Sequence, residues 1–129
     1  MSLEKLLHRV LLIISILTML SGATQMFFPS LVLRILSADV TPTTSHFFSI
    51  VGMFMIGLGG VFAQSLLSGK PDPVVAFWAS MQKFGAAVMV GLGVMHGLFS
   101  WPALGVAGFD LLSGLLAILY WRKISAAQI

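Results

Sequence analysis

The sequence predicts an all-α fold, an integral membrane up-down-up-down four-helix bundle with a short interfacial helix in its first loop. Three observations predict it. Of 129 residues, 58% are hydrophobic and only 9% are charged, whereas a soluble domain carries about 25% charged residues. That composition cannot coat a globule in water, so most of the surface must meet a lipid bilayer. At about 20 residues per spanning helix, the length holds four spans and short loops, with no separate soluble domain expected. The basic residues gather at the ends of the apolar stretches, the pattern of the positive-inside rule.

The first span covers about residues 3–24. Glu4 and Lys5 stand at its entry, with His8 and Arg9 one turn further in. Arg9 can extend its stem to the headgroups. Thr18 and Ser21 can bond back to carbonyls of the preceding turn. Lys5 and Arg9, an apolar run from Val10 to Leu20, and Ser21-Gly22-Ala23 share the layout of a signal peptide. The expectation is instead a retained transmembrane helix.

Residues 26–45 form a connection too long for a simple turn, and its apolar run of about nine residues is too short to span. Pro29 suits the first turn of a helix. Leu31, Val32, Leu33, Ile35 and Leu36 are apolar around the single charge of Arg34. This predicts a short helix lying in the interface or folded back onto the bundle. Thr43, Thr44 and Ser45 supply capping residues for a second span over about 46–67. Gly52, Gly57, Gly59 and Gly60 leave that span with bare faces, and small residues let membrane helices approach closely.

Ser68 to Pro73 is a polar turn in which Asp72 and Pro73 suit the N-cap and first helical positions. The third span follows over about 73–99, with Gly93 and Gly97 spaced as a GxxxG pair. Ser100-Trp101-Pro102 is so short that the third and fourth spans should be antiparallel neighbours. The fourth covers about 101–121 and ends on Tyr120 and Trp121, which suit the interface, before Arg122 and Lys123. Lys5, Arg9, Lys70, Arg122 and Lys123 lie on one side and only Arg34 on the other, so both termini are expected in the cytoplasm.

Lys83 and Asp110 are the formal charges deep inside spans, where an ionisable group points to function by default. At about 1.5 Å per residue, Lys83 lies about 14 Å from one membrane face and Asp110 about 13 Å from the other. Both depths are near the middle of a core of about 30 Å. Small residues flank each of them: Ala76, Ala79, Ala86 and Ala87 around Lys83, and Ala107, Ser113, Gly114 and Ala117 around Asp110. A buried ion pair follows. It serves either to hold helix register or to meet a proton or ligand.

Gln25, His46 and His96 should lie at similar depth near the outer surface, with Gln82 on the same side of the third span as His96 at 100° per residue. These four outline a pocket for a ligand or haem, since a histidine pair can ligate haem, copper or zinc. The alternative is that both histidines, at helix ends, are solvated. Six methionines inside the spans could form a copper path, but methionine ordinarily fills gaps in apolar cores. No spacing defines a metal site or a cofactor. Zero cysteines exclude disulfides, thiolate catalysis and cysteine-based metal sites. No Ser-His-Asp set, phosphate loop, paired carboxylates or nucleotide fingerprint is present, so a protein that is not itself an enzyme is expected. The net charge of +3 is accounted for by the helix ends, and no nucleic-acid partner is expected.

A first helix ending in Leu20-Ser-Gly-Ala23, the loop Phe28-Pro29 followed by leucines and Ile35, and the glycine-rich run Gly52 to Gly60 resemble the DoxX-like group of small four-helix membrane proteins. The resemblance covers the length and order of the chain. It implies a multi-pass protein of a bacterial inner membrane, linked either to quinone-dependent oxidoreductases as an accessory subunit or to membrane-protein assembly. Three functions are therefore expected as alternatives. One is a non-enzymatic bundle that packs through Gly57, Gly60, Gly93 and Gly97 against itself, as a homo-oligomer, or against a larger membrane-protein partner. The second is a quinone- or haem-linked subunit using the histidine pair. The third is a small transporter or binder of a hydrophobic ligand, with Lys83 and Asp110 lining a cavity.

Overall fold

A computed structural model describes residues 2–128. They form five helices in the order α1 (Leu3–Phe27), α2 (Pro29–Ile35), α3 (Pro42–Leu67), α4 (Pro73–Met95) and α5 (Pro102–Ala127), with no strand among the described residues. The four long helices are long and apolar enough to cross a membrane, and the fold is an all-helical four-helix bundle. Large apolar side chains on all four face outward, Leu20, Phe54, Val88 and Leu112 among them. This is the surface of a multi-pass integral membrane protein whose solvent is lipid.

Local chemistry sets the helix ends. Asp72 caps α4 as the sequence predicts, its carboxylate accepting from the Val74 N–H at 2.9 Å. α3 begins at Pro42, four residues before the expected start. The cap is Thr41, and it pairs reciprocally with Thr44. The Thr44 N–H donates to the Thr41 hydroxyl at 3.0 Å, and the Thr44 hydroxyl accepts from the Thr41 N–H at 2.8 Å. α4 ends at Met95 rather than near residue 99. Gly97 adopts φ +73°, which lets the Leu98 N–H reach the Gly93 carbonyl at 2.8 Å and the Gly97 N–H reach Val94 at 3.1 Å. That is a glycine-terminated Schellman ending. α5 continues through Arg122 and Lys123 to Ala127.

α1 packs most extensively on α3, and α4 on α5; contacts joining the two pairs are sparser. Glycine makes the first pairing close. A Cβ at Gly22 would lie 2.6 Å from the Gly52 carbonyl oxygen, and one at Gly52 would lie 2.7 Å from the Met26 nitrogen. Gly59 sits similarly on the Ser15 carbonyl. In the other pair the Phe84 ring lies on Gly114, and the Ser80 hydroxyl donates to the Gly114 carbonyl at 2.8 Å.

All four long helices meet in the half of the bundle that carries Ser2 and Gln128. Leu7, Leu11, Ile14, Phe62, Leu66, Ala76, Ala117, Tyr120 and Ile124 form one buried cluster there. The Tyr120 hydroxyl is satisfied by His8 Nδ1 at 2.9 Å. In the opposite half the two pairs part. α2 folds back onto α1 and α3, one of the two placements the sequence predicts. Its C-terminal carbonyl, on Leu36, accepts from both the N–H and the hydroxyl of Ser100 at 2.8 and 3.0 Å.

Candidate functional site

The parting of the helix pairs leaves a cavity of about 730 Å³. Its floor is the Lys83–Asp110 pair, and its walls come from all four long helices. Val32 and Leu36 of the α2 segment, with Phe99, close the far end. Ligand pockets typically enclose about 300–1,000 Å³. At the roughly 30 Å³ that one water occupies in the liquid, the space equals on the order of two dozen such volumes.

The floor is a three-helix junction. Lys83, from the middle of α4, donates to Asp110 Oδ1 of α5 at 3.1 Å and to the Thr18 hydroxyl of α1 at 2.7 Å. Thr18 donates its own hydroxyl proton to the Ile14 carbonyl at 2.9 Å, so it meets the lysine as an acceptor. Lys83 Nζ also stands 5.4 Å from the centroid of the Phe109 ring, within range of a cation–π attraction. Lys83 and Asp110 are each 9% exposed. A charge so placed is tolerated only when paired and hydrogen-bonded, and each of these is.

The junction is not saturated. Every fully buried side-chain nitrogen and oxygen among the described residues has a partner. Asp110 Oδ2 makes no hydrogen bond among those residues and is therefore not fully buried, and Asp110 lines the cavity. Lys83 retains one N–H beyond its bonds to Thr18 and Asp110. Gln82, half-buried beside them, also lines the cavity. The floor therefore offers an acceptor and donors at one point, with apolar wall above it.

Gln25 lines the same cavity about 10 Å along the axis from Thr18, at 1.5 Å per residue. Its amide donates to the Phe48 carbonyl at 3.1 Å. Of the four residues expected to share an outer pocket, the structure brings together Gln25 and Gln82. His46 and His96 are exposed and do not line the cavity. The angular reckoning from Gln82 assumed that α4 continues past residue 96. His96 is the C-cap, where the chain leaves the helix. No group of three or more His, Cys, Asp or Glu able to hold a metal occurs among the described residues.

Within the chain, none of the four glycines expected to pack against a second copy or a larger partner brings the backbone of another helix close. Gly57 has open space where a Cβ would stand, and Gly60 meets only the tip of Met19 at 3.6 Å. Gly93 receives the Phe99 ring from its own helix end, and Gly97 is the left-handed cap. The close intramolecular approach is made instead by Gly22, Gly52 and Gly59. Sequence reasoning also missed Thr18 as the third member of the charged junction.

Comparison with known proteins yields no matching family model, no matching curated protein and no matching solved structure.

Proposed function

We propose that the chain is a membrane-embedded binder of an uncharged, largely apolar amphiphile, held with its polar end on the Lys83–Asp110 junction. The observation that carries this reading is the cavity of about 730 Å³ ending on a charge pair. A pair that only fixed helix register would need no such space above it. A bundle acting only by packing against itself or a larger partner leaves the same space unaccounted for. The pair sums to zero charge, so it favours a neutral head over an acid or an amine. A hydroxyl or carbonyl head can donate to Asp110 Oδ2 or accept from Lys83 and Gln82, while its chain runs along Val90, Met55 and Phe48 towards α2.

In this reading both termini face the cytoplasm, as the basic residues at that end favour, and the cavity occupies the outer half of a bacterial inner membrane. The DoxX-like resemblance remains part of the proposal, with ligand binding in place of a histidine-held haem.

Native mass spectrometry from gentle detergent tests the reading, with a long-chain fatty alcohol as the probe. The wild-type chain should retain one molecule. Replacing both charges (Lys83→Met with Asp110→Leu) leaves neither charge uncompensated and should preserve the fold, while weakening retention by on the order of tenfold through the lost polar contacts. A wild-type protein that flies bare, or a double variant that retains the alcohol equally well, would sink the proposal.

A further inference from the structure

We infer that the cavity exchanges its occupant sideways with the bilayer, through a slot between α1 and α5. This rests on the ligand-binding reading above and adds the route. The α2 end is closed. Val32, Leu36 and Phe99 cover it, and the two hydrogen bonds from Ser100 to the Leu36 carbonyl fasten the cover to the α4–α5 turn. The terminal end is closed by the packed cluster around Leu11 and Tyr120. On the α3–α4 side, Phe48, Met55, Ala86 and Val90 are only half-exposed, and Val51 alone is open.

The α1–α5 side differs. Leu17, Ser21 and Thr24 follow one another along a single face of α1, and Gly105, Val106 and Phe109 stand on α5. All six line the cavity and all six are exposed. We take these six exposed lining residues, on two neighbouring helices, as the rim of the slot.

The chemistry of the rim suits passage. Gly105 presents no side chain, and a Cβ there would meet nothing within 4 Å. Leu17, Val106 and Phe109 supply apolar walls for a chain. Ser15, Thr18 and Thr24 bond back to carbonyls of the preceding turn. Ser21 makes no hydrogen bond among the described residues, so its hydroxyl is available to a passing head group. Ser21 lies one turn from Thr18, which already holds Lys83. A neutral head leaving lipid thus meets a hydroxyl before it reaches the charge pair. A charged head would be costly at that depth.

The test uses the full chain in lipid vesicles and a diazirine-bearing long-chain fatty alcohol added to the bilayer. Samples are frozen and irradiated at successive times, and labelled peptides are located by mass. Wild type should be labelled on the far wall, in peptides containing Met55 or Val90. Gly105→Trp should slow that labelling by on the order of tenfold or more. Gly57→Trp, placed in open space on α3, should not slow it. A Gly105→Trp variant as fast as wild type overturns the slot while leaving the binding reading intact. Wild type unlabelled on the far wall overturns the binding reading itself. Should Gly105→Trp misfold, Gly105→Cys decides, because the chain has no other cysteine. After folding, a bulky maleimide on that thiol should slow labelling and a methylthio group should not. Equal rates with the two groups overturn the slot.

Discussion

Lys83 directs two of its N–H groups to protein partners, and the shorter of the two bonds goes to Thr18 rather than to its formal counter-ion. The hydroxyl can accept because its own proton is committed to the Ile14 carbonyl. Thr18→Val keeps the shape of the side chain and removes that acceptor. The expected cost is about 1–2 kcal/mol, the range of a polar contact between membrane helices, read as a loss of stability in a reversible unfolding titration in mixed micelles. Stability equal to wild type would mean that Thr18 is a bystander. The charge pair itself was legible in the sequence, because ionisable residues inside spans are few and depth follows from counting residues. Thr18 was not. α1 carries several hydroxyls that all bond back to their own helix in principle, and only the azimuth of Thr18 towards α4 singles it out.

The helix pairs owe their closeness to a few glycines, and position along the helix decides which. Gly52 faces backbone atoms of α1, which cannot rotate aside as a side chain can. Gly57, one and a half turns on, faces outward into open space. Gly52→Val should therefore force α1 and α3 apart and cost about 1–3 kcal/mol or more, whereas Gly57→Val should leave the melting temperature in detergent unchanged within error. Equal effects would refute the intramolecular pairing. A GxxxG spacing cannot make this distinction, since Gly93 and Gly97 satisfy it and serve a helix ending instead. Helix starts were legible where a single residue type suffices, as with Asp72 before Pro73. The start of α3 depends on two threonines acting on each other across Pro42, and from the sequence that proline reads equally well as part of the loop.

At the scale of the whole molecule, four antiparallel crossings place Ser2, Gly69 and Gln128 at one end, and Ser37 and the Ser100 turn at the other. Single cysteines introduced at Ser2 and Gly69 should react with an impermeant maleimide from one side of sealed vesicles. Those at Ser37 and Leu98 should react only from the opposite side. Mixed sidedness within either pair would contradict the bundle topology. Composition and loop length carried the number of spans and the antiparallel neighbourhood of α4 and α5. They could not carry the cavity, which arises because α1 joins α3 and α4 joins α5 while the two pairs meet fully only around Leu11, Phe62 and Tyr120. No single segment encodes that separation. For the same reason the depth of Gln25 and the helix face of Gln82 could be reckoned, while the cavity they line could not be foreseen.

Lys83 and Asp110 lie at one depth with opposite charge, and this has an electrical consequence. The membrane voltage exerts no net force on the pair, so a neutral occupant can arrive and leave without electrical work. Removing one member alone would strand an elementary charge part-way through the field, where a full crossing is worth about 2.3 kcal/mol per 100 mV. On the ligand-binding reading proposed above, loading then follows the occupant's concentration in the membrane and is insensitive to the membrane voltage.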